Sequence, residues 1–353
     1  MASAPSGSLI VPTFNRRAAL IRLLDSLSYQ TVPYAQFEVV VSVDGSTDGT
    51  QMALNRYKAP FSLKHRFHEN VGRAKSCNIG ASVAVGRTLV FLDDDMVPTP
   101  TFLEEHFRAQ SLGPRRAVVG AAPIDLAGSL SPAGRYVAER FNRHLQKLRM
   151  PEFRFQSRDF YSGNFSIDRE LFFSLGGFDE TFRVYGNEDV DLSIRMRLAG
   201  IAIQFSQDAA AVQHNDKTLE SVANDSFNKG RTAVMLTAKH PSVLAELRLN
   251  WISESPLALR ALQWISPTVG SDNLTRHVVR VLSFAERVPS LPRRLYYERA
   301  FGFLFWLGAL EQIRQDYGTL SKFRRSVGLF SRERGPSHTF DKFGVRASRD
   351  RRK

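Results

Sequence analysis

The sequence predicts an α/β fold: a mostly parallel central sheet flanked by helices, followed by a helical C-terminal extension. Three observations predict it. β-Rich runs alternate with amphipathic stretches over residues 1–130, as right-handed βαβ units require. The run FEVVVSV (37–43) is almost continuously β-branched, as expected of a strand covered on both faces. Acidic residues, Asp44 and Asp93 to Asp95, follow two such strands, at the sheet edge where open α/β folds bind ligands.

In order, SLIVP (8–12) reads as a strand, and 18–29 carries apolar residues at helical spacing. The strand 37–43 ends in DGSTDGT, a turn and cap leading into a helix over 51–57. A short strand near 63–67, a helix over 72–85 and the strand TLVFL (88–92) follow. The segment 135–158 is basic and begins as a helix. Beyond it come a strand, a helix, a glycine-rich turn and a helix over 188–198. Strands near 201–205 and 209–213 end at His214, and from about Leu219 the pattern is helical, punctuated by Pro241, Pro256, Pro267, Pro289 and Pro292.

Composition sets the outer bounds. With 353 residues, 43% hydrophobic and 24% charged, the chain can bury a large core; disordered, collagen-like and coiled-coil classes are excluded. The single cysteine, Cys77, excludes a disulfide framework and a cysteine-built zinc site, and suits a reducing compartment. MASAPSGS lacks the order of a signal peptide, and the longest apolar run, AFGFLFWLGAL (300–310), is too short to span a bilayer. The expected location is therefore cytoplasmic, with peripheral contact at the inner membrane face as an option. Charge is uneven: of the net +13, the segment 313–353 holds 12 Lys/Arg against 4 Asp/Glu. Such a block either attracts phosphates, nucleic acid or anionic lipid, or is simply solvated.

Three adjacent carboxylates, Asp93, Asp94 and Asp95, repel one another unless a cation is near. As hard oxygen ligands they suit Mg²⁺ or Mn²⁺ shared with phosphate oxygens; the alternative is a solvated acidic turn. Glu188 and Asp189 open a helix after Gly186-Asn187, with Asp191 further in and Arg195 beyond. They serve either as helix-capping charges or as a general base at a pocket rim. His214, in AVQHN, is structural or a metal ligand. Asn70, Gly72, Arg73 and Lys75 open a helix whose free amides and cations suit phosphate, or form an ordinary basic turn. Cys77 reads as a small core residue. No G-x-S-x-G, Walker A or Rossmann glycine fingerprint is present.

Six motifs in chain order resemble the family 2 glycosyltransferases of GT-A fold: VPTFNR (11–16), VSVDGSTDGT (41–50), ENVGRAKSCNIG (69–80), VFLDDDM (90–96), SGNFSIDRELFFSLGGFDE and YGNEDVDLSIRMRLAG. The likeness runs over 8–215. It implies a catalytic domain over 1–218, with a nucleotide-sugar half (8–130) and an acceptor half (131–218). A helical region (219–312) and the basic tail (313–353) remain unidentified by it. It implies an inverting, metal-dependent transferase that uses a nucleoside-diphosphate sugar, a UDP-sugar first among them. Asp44 would read the base, with Pro12 and Thr13 packed near it and Asn70 and Arg73 close to the nucleotide. Asp93 would contact ribose or metal, Asp94 would line the donor site, and Asp95 would ligate a Mn²⁺ or Mg²⁺ ion on the diphosphate. His214 matches a further metal ligand, and Gly163-Asn164 the floor of the sugar site. Asp189 matches the catalytic base and Glu188 a donor-sugar or acceptor contact. The Q-x-x-R-W signature of processive members is absent, so one sugar per encounter is expected.

The acceptor would be a glycan, glycolipid, natural product or peptide; nucleic acid is not an expected partner. The alternatives are a sugar-phosphate nucleotidyltransferase, which would release pyrophosphate, and a non-catalytic membrane or nucleic-acid adaptor on the same fold. Phe301, Phe303, Phe305 and Trp306, beside the basic tail, offer an interfacial helix. Otherwise they pack that helix onto the domain.

Overall fold

The computed structural model describes residues 5–128, 130–241, 249, 270–288 and 292–328. Its first half runs β1 (Gly7–Thr13), α1 (Arg17–Leu27), β2 (Phe37–Asp44), α2 (Thr50–Arg56), β3 (Ser62–His68), α3 (Arg73–Ser82), β4 (Thr88–Leu92), β5 (Met96–Pro98), α4 (Phe102–Ser111) and β6 (Arg116–Gly120). Its second half runs α5 (Pro132–Leu148), β7 (Asn164–Asp168), α6 (Arg169–Ser174), α7 (Glu188–Leu198), β8 (Ala202–Ser206), β9 (Ala211–Gln213), α8 (Leu219–Lys239), α9 (Ser271–Glu286), α10 (Arg293–Tyr317) and α11 (Leu320–Ser326).

The central sheet has the order β3-β2-β1-β4-β7-β6-β8. Only β7 runs antiparallel to its neighbours; the pairs β1–β2, β2–β3, β1–β4 and β6–β8 are parallel. Every residue of β1, β2 and β4 is buried, which accounts for their unbroken apolar patterns. The two-residue alternation assigns side chains to opposite faces. Leu9, Val11, Val39, Val41 and Val43 pack against Leu20, Leu23, Leu24 and Leu27 of α1. Ile10, Val40 and Phe91 face α3 and a cluster containing Phe165, Phe172 and Phe178, with Phe91 and Phe165 stacked at 4.8 Å. The short β5 pairs antiparallel with β9, which ties the acidic turn after β4 to the approach to His214.

α8 and α10 lie against each other where two glycines remove the side chains. A Cβ on Gly230 would meet the Phe305 carbonyl oxygen at 1.8 Å, and one on Gly308 would meet that of Phe227 at 2.0 Å. The pair joins α5 through Ala133, Tyr136, Leu219, Val222, Tyr297 and Phe301. The aromatic stretch takes the packing role: Phe301 and Phe305 are buried, while Phe303 and Trp306 pack half-buried on the same clusters. Among the described residues no helix is long and apolar enough to cross a membrane. The tail from 329 and most of 242–269 lie outside the described residues.

Candidate active site

Parallel strands β1, β2 and β4 end at one sheet edge, bringing Pro12, Thr13, Asp44 and Asp93 to Asp95 together. Asp44 is 5% exposed. Its carboxylate accepts hydrogen bonds from the Val71 and Gly72 amides at 2.6 and 3.1 Å, and its carbonyl accepts one from Asn70 Nδ2. Asp44 thus anchors the loop that starts α3, and Asn70 completes that anchor.

At the acidic turn Asp93 is held by Arg73, while Asp94 and Asp95 share Arg16. Asp93 accepts from Arg73 Nε and Nη2 at 3.2 and 2.7 Å. Asp94 accepts from Thr13 Oγ1 at 2.7 Å. Asp95 accepts from Arg16 Nη1 at 2.7 Å and from Gln213 Nε2 at 3.2 Å. These partners do not remove the strain of clustered charge. Burial, with Asp95 and Asp93 adding repulsion, pushes the Asp94 carboxyl up to about 7 against the pull of Arg16 and Thr13. Asp95 is raised for the same reasons, burial first and Asp93 next.

A consequence follows for stability without metal. Native Asp94 holds its proton where the unfolded chain has released it, so its contribution to stability is lost as pH rises from about 4 to about 7. In chelator, Asp94→Asn is expected to match the wild type in Tm near pH 4 and to exceed it near pH 8. A Tm difference that does not change with pH would contradict this picture of the turn.

A cavity of about 530 Å³ opens beside Asp95, bordered also by Arg16, Asp125, His214 and Asp216. His214 lies one residue past the end of β9; its amide donates to the Asp95 carbonyl at 2.8 Å, and its Nδ1 is 3.4 Å from Asp125 Oδ2. Among the described residues no three His, Cys, Asp or Glu side chains are gathered closely enough to hold a metal by themselves. A carboxylate and an imidazole on one cavity, with the turn short of positive charge, nevertheless fit a divalent cation whose remaining ligands come from phosphate or water.

Across from the acidic turn stands the start of α7. Arg73 reaches both sides: besides Asp93, its Nη1 donates to Ser162 Oγ at 2.8 Å and lies 3.7 Å from Glu188 Oε1. Glu188 accepts from the Gly186 amide at 3.1 Å. Asp189 is partly exposed, and enclosure together with Glu188's charge pushes its carboxyl up to about 7. Asp191, by contrast, is fully buried between Arg195 at 2.6 Å and His240 at 2.8 Å, so it is a structural charge rather than a reserve base.

A Cβ at Gly163 would lie 2.4 Å from Asp93 Oδ2, so a side chain there would displace the Asp93 carboxylate. Its neighbour departs from the sequence expectation. Asn164 has no exposure; its amide donates to the Ala121 and Ala209 carbonyls and accepts from His106 Nε2, whose ring burial keeps neutral. Asn164 therefore supports the floor from below and does not line it. Cys77 is buried, its thiol pushed up to about 12 by burial, which fits a core residue.

Sequence reading missed Arg16, Ser162, Asp125, Lys217 and Lys229. Arg16 stands inside the first motif, and its partners Asp94 and Asp95 stand inside the fourth, so the motif order carried that signal. Ser162 likewise opens the fifth motif, whereas Asp125, Lys217 and Lys229 come together only through tertiary packing.

Residues 8–175 match the family model described as glycosyl transferase family 2, and residues 142–216 match one described as N-terminal domain of galactosyltransferase. The chain is similar to a validoxylamine A glucosyltransferase of Streptomyces hygroscopicus subsp. jinggangensis, 30% identical over 82% of this chain and 78% of that one. It is also similar in fold to a mannosyltransferase from Pyrobaculum calidifontis in complex with GDP-Man and Mn²⁺, with TM-score 0.56, 20% identity and coverage of 89% and 88%. A third likeness is to S. aureus TarS 1–349 in complex with UDP, with TM-score 0.51, 18% identity and coverage of 89% and 92%.

Proposed function

Since the chain belongs to glycosyl transferase family 2 and is a glycosyltransferase of GT-A fold, we propose that it moves one sugar from a nucleoside-diphosphate sugar to an acceptor hydroxyl with inversion. The observation that carries this reading is Arg73, which touches Asp93 on the donor side and Glu188 on the α7 side. One guanidinium then sets the separation of the nucleotide-binding turn and the base.

The chemistry is a single displacement. Asp189, as carboxylate, accepts the proton of the acceptor hydroxyl while that oxygen bonds to the anomeric carbon. The bond from that carbon to the diphosphate oxygen breaks on the opposite face, and the nucleoside diphosphate departs. Glu188, held by Gly186 and Arg73, contacts the sugar, and its charge adds to burial in raising Asp189's carboxyl into the range where a base works at neutral pH. Asp44 and Asn70 fix the loop that would sit beside the nucleobase and ribose, with Pro12 and Thr13 at the end of the adjacent strand β1. Asp95 and His214, on one cavity, are the residues that would hold a divalent cation, Mn²⁺ or Mg²⁺, with phosphate or water completing its shell and Asp93, held by Arg73, the further candidate; when bound it would offset the charge of the leaving diphosphate.

A UDP-sugar is the proposed donor. The acceptor is proposed among hydroxylated natural products, glycans, glycolipids and peptides; the relative named as a validoxylamine A glucosyltransferase favours the natural-product class. Screening nucleotide sugars for metal-dependent release of nucleoside diphosphate, alongside thermal stabilisation, tests it. UDP release is expected; release of pyrophosphate would mark nucleotidyl transfer, and no metal-dependent nucleotide binding would mark an adaptor.

A further inference from the structure

We propose that Lys217 and Lys229, gathered on Tyr185 beside Asp189, form a subsite for an anionic group carried by the acceptor, a phosphate or a carboxylate. The inference deepens the reading of Asp189 as the base and rests on it. The ammonium groups lie 4.9 and 5.3 Å from the centroid of one Tyr185 ring, which is itself 45% exposed. Two cations on one accessible ring repel each other unless an anion sits with them. Asp225 already bonds Lys217. Lys229 faces Lys217, Arg140, Asp225 and Asp189, and the Tyr185 ring beside it also faces Glu188 and Asp93. Lys217 is thus paired, whereas the Lys229 ammonium has no carboxylate within 4 Å among the described residues.

The backbone is shaped around this arrangement. Gly186 has φ +116, and a Cβ there would lie 2.8 Å from Lys229 Cγ. Asn187, at φ +66, donates from Nδ2 to the Lys229 carbonyl at 3.1 Å and to Thr232 Oγ1 at 2.8 Å. The turn that presents Asp189 is thus fastened to α8 at Lys229. Position of the base and position of the ammonium are set by the same contacts, so an acceptor gripped by its anionic group would bring a neighbouring hydroxyl to Asp189.

Calorimetric titration of inorganic phosphate, with and without saturating UDP, tests the proposal on the full chain. Saturable phosphate binding that persists with UDP bound is expected. Lys217→Met/Lys229→Met should weaken it roughly 10- to 100-fold, the scale of losing charge-assisted hydrogen bonds, while Lys217→Arg/Lys229→Arg should retain it. Phosphate displaced by UDP would assign the lysines to the donor diphosphate and overturn the proposal. Absent binding, or equal binding by the Met variant, would overturn it too. UDP binding is read in the same cell, so a failed donor assignment is distinguished from a failed phosphate subsite. With turnover, a phosphomonoester acceptor should exceed its neutral parent in kcat/KM, and the Met variant should erase that preference.

Discussion

Asp189→Asn is expected to lower kcat by about 10²–10⁴-fold with the KM for donor nearly unchanged, because the amide keeps the shape and loses the proton acceptor. That loss corresponds to about 3–5 kcal/mol of transition-state stabilisation. The carboxyl of Asp189 is pushed up to about 7, and the base is active only when ionised. Wild-type kcat should therefore rise with pH through the neutral range and level off above it. The variant should lose that rising limb. Stopped-time assays of nucleoside diphosphate release across pH read both effects. A variant with near-normal kcat would move the base to Glu188, since Asp191 is buried in its ion pairs with Arg195 and His240.

Asp95→Ala is expected to reduce turnover by about 10²–10³-fold or more, the scale of losing one preorganised contact to developing charge. Folding should survive. The removed carboxylate is buried with its pKa raised, so its departure relieves repulsion from Asp93, and Arg16 keeps Asp94 at 3.5 Å and Asp216 at 3.6 Å. Circular dichroism and Tm measure the fold, and turnover with added Mn²⁺ and with chelator measures the chemistry. Full activity of the variant in chelator would contradict the assignment of Asp95 to a cation.

The fold was legible where the physics is local. Buried β1, β2 and β4 announce themselves by continuous β-branched and aliphatic runs, and α7 starts and ends where its acidic first turn and basic last turn place it. The short strand β6 and the three-residue β5 were not legible: each is defined by its partners, β7 and β8 for one and β9 for the other. In the candidate site, Asp93 to Asp95 and Glu188-Asp189 stand out as charge at element ends. What joins them does not. Arg73 spans 20 residues to Asp93 and 115 to Glu188, and only the parallel sheet brings those ends together. Asn164 misleads for the same reason. Its motif neighbour Gly163 faces Asp93, and the next strand residue turns inward to His106. The aromatic stretch of α10 allows an interfacial or a packed helix by composition, and the glycine contact at Gly230 and Gly308 is what draws its rings into a helical core.

Displacement at the anomeric carbon with Asp189 as base leaves a stereochemical record. The most direct measurement is therefore the anomeric configuration of the freshly formed product, read by NMR coupling constants against that of the donor. Single displacement predicts the opposite configuration, with none of the donor's configuration in the first turnovers. Retained configuration would contradict it and would require a covalent or front-face route that the Glu188-Asp189 arrangement was not assigned to perform.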